Sequence, residues 1–190
     1  MRLYTVGDSF TYGQELSNPS EQSWPHVLGK MLGYTVDNHA RPGASNDYIV
    51  RQTVEYLEQN QPDLVIIGWT IEDRIEISGK TANPRHNPTL YKLWNEDWAM
   101  AKLQAQIITL DKYVLRDIPH YHCATWIDDF YFKGMNNYLG RFVDWAYGTP
   151  HGQAGHPLEE GHQRIADELF MLVTLEAGHQ RIADEILKHI

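Results

Sequence analysis

An α/β domain built on a central parallel sheet is the fold the sequence predicts, and three observations predict it. Residues 63–68, Asp-Leu-Val-Ile-Ile-Gly, form a continuous aliphatic run of the kind found in strands buried on both faces. Short runs of this type alternate along the chain with segments of helical periodicity, the pattern of parallel strands joined by crossover helices. At 190 residues the chain is long enough for one such domain with a full core and too short for two ordinary ones.

The elements follow in order. Residues 3–6 read as a short buried strand stopped by Gly7. Trp24, Val27, Leu28, Met31 and Leu32 recur at helical spacing and end at Gly33, which predicts a helix with a glycine stop. Residues 34–36 resemble a second strand. Ser45 or Asn46 can cap a helix running to about residue 59, with Ile49, Val50, Val54 and Leu57 on its buried side. The polar stretch 78–88, broken by Gly79, Pro84 and Pro88, reads as a loop. Residues 94–118 read as a long helix bent or broken once, 121–127 as the last strand, and 134–155 as irregular. The remainder is helical.

Residues 158–169 recur almost unchanged at 175–186. Near-identity over a whole helical segment points to a tandem duplication, and two units are too few for a solenoid. The expected organisation is one domain over residues 1–172, followed by a helix over residues 173–190 that duplicates 158–169.

Composition narrows the function classes. A formal net charge of -9, from 16 Lys+Arg against 25 Asp+Glu, argues against a phosphate-binding surface for nucleic acid, which needs clustered cations. No run approaches the ~20 apolar residues of a membrane-spanning helix. The N-terminus lacks the apolar core of a signal peptide, so a cytoplasmic protein is expected. Cys123 is the lone cysteine, which excludes an intrachain disulfide and a cysteine metal cage. His120 and His122 share one side of a strand, yet a metal site would need a third ligand and an open position. No metal and no cofactor is expected.

Two residues stand out for chemistry. Ser9 follows the first strand in Gly7-Asp8-Ser9-Phe10, where open α/β sheets place their active sites. A serine hydroxyl is a weak nucleophile and needs a histidine to take its proton. The same residues also make turns and caps for local reasons. His156, in Gly155-His156-Pro157, is held at a rigid junction between loop and helix by the proline that follows it.

Gly7-Asp8-Ser9-Phe10 after an N-terminal strand, with Gly155-His156-Pro157 and Gly161-His162 near the C-terminus, resembles the SGNH/GDSL hydrolase family over residues 2–170. The resemblance implies a three-layer α/β/α, flavodoxin-like fold, with Ser9 and His156 as the catalytic pair. It implies that the backbone N–H groups of Ser9 and Gly43 form an oxyanion hole, the largest electrostatic contribution in many acyl transfers. Two blocks depart from the family pattern. The third, normally Gly-x-Asn-Asp, reads Gly68-Trp69-Thr70-Ile71, so Thr70 stands where an asparagine would donate to the oxyanion. The last normally carries an aspartate three residues before the histidine, and Gln153 stands there. An amide can accept the imidazole N–H but brings no charge. Asp144 or Asp128 could supply that charge from elsewhere in the fold.

The resemblance implies a serine esterase for small acyl esters, with acylated carbohydrates among the candidates. The two departures equally fit a second class, a non-catalytic binding or structural protein on the same fold, for instance in a viral assembly.

Overall fold

The computed structural model describes the backbone of residues 1–187 and the side chains of residues 1–175. Its strands are β1 (Arg2–Val6), β2 (Thr35–Asn38), β3 (Leu64–Trp69), β4 (Ile75–Ile77), β5 (Lys80–Ala82), β6 (His120–Ala124) and β7 (Tyr138–Arg141). Five of them form one wholly parallel sheet in the order β2-β1-β3-β6-β7, and β4 and β5 form a separate hairpin. From β1 the chain crosses to β2 on one side and then to β3 on the other. The crossovers therefore change direction at β1, and the crevice beyond the carboxyl ends of β1 and β3 is the topological switch point where such sheets bind ligands.

Both faces of the sheet are buried, which accounts for the aliphatic runs. Along β3, Leu64 and Ile66 join one apolar cluster while Val65, Ile67 and Trp69 join the other, the period-two alternation of a strand. The helices are α1 (Ser9–Tyr12), α2 (Pro19–Gln22), α3 (Trp24–Leu32), α4 (Asn46–Leu57), α5 (Pro88–Tyr91), α6 (Glu96–Thr109), α7 (Phe142–Trp145) and α8 (Glu159–Leu187). One face of the sheet packs against α4 and α6 through Ile49, Leu103 and Ile107. The other packs against α3, α7 and α8 through Trp24, Leu28, Phe142, Ile165 and Leu169. Fully burying each such side chain stabilises the fold by roughly 1.5–3 kcal/mol.

Two expectations need correction. The stretch expected as a loop contains the β4–β5 hairpin, turned by Ser78 (φ 50°) and Gly79 (φ 75°). Positive φ at both central residues is the turn geometry whose twist matches a tight hairpin. The segment expected to be irregular contains β7, which pairs with β6 as the edge of the sheet. The long helix breaks once, as expected, at a π-helical stretch over Leu110–Val114.

α8 runs without interruption through residue 172, the expected domain boundary, and Val173 is still buried in the apolar cluster. Beyond Leu175 the side chains of the second copy lie outside the described residues. Among the described helices, none is long and apolar enough to cross a membrane.

Candidate active site

Ser9 is the first residue of α1, directly beyond the carboxyl end of β1. Asp8 caps that helix by accepting from the Phe10 N–H at 3.1 Å, and Gly13 ends it in the left-handed conformation. The Asp8 carboxylate is wholly buried and also accepts from the hydroxyls of Thr70 (2.7 Å) and Thr125 (3.1 Å). It thereby ties the serine turn to the ends of β3 and β6. Asn46, at the start of α4, fixes the backbone of Thr70 by accepting from its N–H and donating to its carbonyl, at 3.0 and 2.9 Å.

His156 lies on the loop before α8, and its ring meets the Phe10 ring edge-on with centroids 5.9 Å apart. The half-exposed indole of Trp126 also packs edge-on against Phe10, at 5.2 Å. Phe10 thus brings the His156 loop, the serine turn and an exposed aromatic ring to one edge of the sheet.

The partner of His156 is the main departure from expectation. Its Nδ1 lies 2.9 Å from Oε2 of Glu15, and the same carboxylate accepts the backbone N–H groups of Ala154 (2.9 Å) and His156 (3.1 Å). The Ala154 amide above all, with the His156 imidazole next, holds the Glu15 carboxyl down at about 2. Glu15 is therefore an anion across the working range of an enzyme. An ionised acceptor requires a donor, so Nδ1 of His156 carries the proton and Nε2 is left as the basic nitrogen whenever the ring is neutral.

Gly152 makes this pairing possible, because a Cβ there would lie 2.4 Å from Cδ of Glu15. Glu15 itself adopts φ 73°, a conformation uncommon for a residue with a side chain. Gln153, expected opposite His156, is exposed, and Glu15 occupies the face of the ring that it was expected to fill. The other two acids considered are engaged elsewhere. Asp144 pairs with Arg141 at 2.7 Å, and Asp128 caps the turn at Phe130.

Thr70 directly follows β3, but its hydroxyl is not the free donor that was expected. Its single hydroxyl proton goes to Asp8, and its oxygen accepts from Nη1 of Arg74 at 2.9 Å. It has no proton left to offer an oxyanion. Gly43 sits between β2 and α4 with φ 70°, and no atom lies within 4 Å of where a Cβ would be. Among the described residues, the N–H groups of Ser9 and Gly43, the Ser9 hydroxyl and His156 Nε2 make no hydrogen bond. The hydrogen bond expected between Ser9 and His156 is thus not formed.

His162, next to this site in sequence, is buried. It accepts the Trp24 N–H at Nδ1, and burial lowers its pKa to about 4, so it is a neutral structural residue.

A second histidine cluster lies at the opposite edge of the sheet, where Asp111, His120 and His122 converge within 4.8 Å. Its hydrogen bonds do not suit a metal. Trp69 Nε1 donates to His122 Nδ1 at 3.0 Å, so a neutral His122 keeps its proton on Nε2, which faces Asp111. Asn137 donates to Asp111 at 2.8 Å, and Lys112 Nζ lies 2.6 Å from its other oxygen. These donors, His122 first, hold the Asp111 carboxyl well below the usual range.

No family model and no curated protein sequence matches the chain. Solved structures do. A psychrotrophic esterase from Pseudoalteromonas sp. superposes with TM-score 0.64 at 14% identity, over 93% of this chain and 98% of that one. A member of the lipolytic G-D-S-L family from Veillonella parvula gives 0.59 at 11%, over 92% and 98%. An acetyl xylan esterase from the rumen bacterium Butyrivibrio proteoclasticus gives 0.61 at 15%, over 93% of this chain and 64% of that one. The chain therefore has the three-layer α/β/α fold of the SGNH/GDSL hydrolases.

Proposed function

We propose that the protein is a serine ester hydrolase whose centre is Ser9, His156 and Glu15. The observation that carries this reading is the ion-paired imidazole. Glu15 holds the Nδ1–H form, so the basic Nε2 is free at the edge where Ser9 begins α1. Ser9 Oγ attacks the acyl carbonyl while Nε2 takes its proton, and the carbonyl π electrons move onto oxygen. The N–H groups of Ser9 and Gly43 hold the oxyanion. The carbon–alkoxide bond then breaks as the imidazolium returns the proton to the leaving alcohol. Water, deprotonated by the same nitrogen, cleaves the acyl-serine to the free acid and restores Ser9. Glu15 stabilises the imidazolium in both halves, the role of the buried acid in serine hydrolases.

Small acyl esters are the proposed substrates, and acylated carbohydrates fit because an acetyl xylan esterase shares the fold over nearly the whole of this chain. The test is labelling with a fluorophosphonate, which reacts only with an activated serine. One covalent adduct, mapped to Ser9 and lost in Ser9→Ala, is the expected result. An unlabelled but folded protein would reject hydrolysis and leave a binding role.

A further inference from the structure

Next to the serine turn lies an open cleft of about 600 Å³ lined by Arg41, Pro42, Gly43, Arg74, Lys80 and His86, with polar residues of the β4–β5 hairpin. We propose that this cleft binds an anionic group, a carboxylate or a phosphate, carried by the ester that Ser9 cleaves. The inference rests on the esterase reading for the bond that is broken, but not for the binding itself.

Position comes first. The cleft shares Gly43 with the proposed oxyanion hole, and the Arg41 N–H donates to the Gly7 carbonyl at 3.1 Å. Arg74 reaches from the cleft to Thr70 at 2.9 Å and to Asp8 at 3.5 Å, directly behind Ser9. An anion held here would be a near neighbour of the scissile ester.

Charge comes next. In a chain of net charge -9, three permanent cations face one cleft. The acids of the same region are already engaged, Glu76 with Arg51 at 2.8 Å and Asp73 with Arg85 at 2.9 Å. Arg41 stacks its guanidinium 4.1 Å over the Tyr48 ring and donates only to neutral oxygens, those of Thr81 (3.2 Å) and Gly79 (3.5 Å). Among the described residues, Lys80 has no ion pair. A guanidinium fixed by stacking loses little freedom on binding, and its fork suits the paired oxygens of a carboxylate or phosphate. Structural arginines usually face a carboxylate, whereas Arg41 is positioned with its charge unanswered.

Three O-acetylated methyl glycosides test the proposal: a neutral glucoside, a glucuronoside with a carboxylate, and a glucoside 6-phosphate. The expected result is a kcat/KM at least ~10-fold higher on one charged sugar than on the neutral one, falling with added salt. Whichever charged sugar leads identifies the anion. In Arg41→Gln/Lys80→Gln, which spares Arg74 and its tie to Asp8, the charged-to-neutral ratio should fall at least ~10-fold. No preference in the wild type, or an unaltered ratio in the variant, would overturn the proposal. Calorimetry on Ser9→Ala separates the two claims. If no sugar is turned over, tighter binding of a charged sugar that weakens with Arg41 and Lys80 replaced still supports the cleft, and equal binding of all three overturns it.

Discussion

Two histidine–carboxylate clusters lie at opposite edges of the sheet, and they differ in what is left open. At the amino end of β6, His120 uses both ring nitrogens, on the Ile118 carbonyl at 2.8 Å and on Asp111 at 3.1 Å. His122 beside it is equally enclosed, between Trp69 and Asp111. Beyond the carboxyl end of β1, His156 commits only Nδ1, and a glycine-backed, partly exposed Glu15 holds it. The same pair of residue types thus stitches elements together where the imidazoles are enclosed, His120 bonded through both nitrogens and His122 held between Trp69 and Asp111. At His156 one nitrogen is left uncommitted, and that nitrogen is the base in the proposed reaction.

Substitutions can break this contrast, beginning with the largest effect. Ser9→Ala should lower p-nitrophenyl acetate hydrolysis by at least ~10⁴-fold with an unchanged melting temperature. Residual turnover near wild type would remove Ser9 from the chemistry. Asp111→Asn should cost about 3 kcal/mol in urea unfolding, since it leaves buried donors facing a poorer acceptor. Its kcat should stay within twofold of wild type, and a large loss would mean the two edges are coupled. Gly152→Ala should cost ~10-fold in kcat, or ~1.4 kcal/mol, because the methyl collides with the Glu15 carboxylate. An unaffected rate would mean that Glu15 need not hold its place.

The smallest effect is in pH dependence. Glu15 falls from an ordinary 4.5 to about 2 in the folded protein. Its contribution to stability is therefore complete above 4.5 and is lost as pH falls toward 2. Glu15→Gln should flatten the stability curve in that window, which acid unfolding monitored by circular dichroism would detect.

Much of this was legible in the sequence. The aliphatic run of β3, the periodicity of α3 and the strand-end serine each carry a local signature, and local signatures are what a sequence displays. Glu15 carries none, because its contact with His156 spans 141 positions. The available clue was the missing charge at Gln153, which required an acid from elsewhere, and Glu15 is the first acid after Asp8. That Thr70 follows the β3 run was legible, but that its proton goes to Asp8 depends on two strand ends meeting. β7 was hidden because Gly140 interrupts a short edge strand, where apolar alternation is weakest.

The most direct test of the account compares Glu15→Gln with Gln153→Asp in kcat for a simple acetyl ester. With Glu15 orienting His156, Glu15→Gln should lose roughly 10²–10⁴-fold while its fold persists at neutral pH. Gln153→Asp should change the rate less than twofold, because the imidazole already has its carboxylate. A near-normal Glu15→Gln enzyme, or a Gln153→Asp enzyme accelerated tenfold, would contradict the assignment of Glu15 and return that role to position 153.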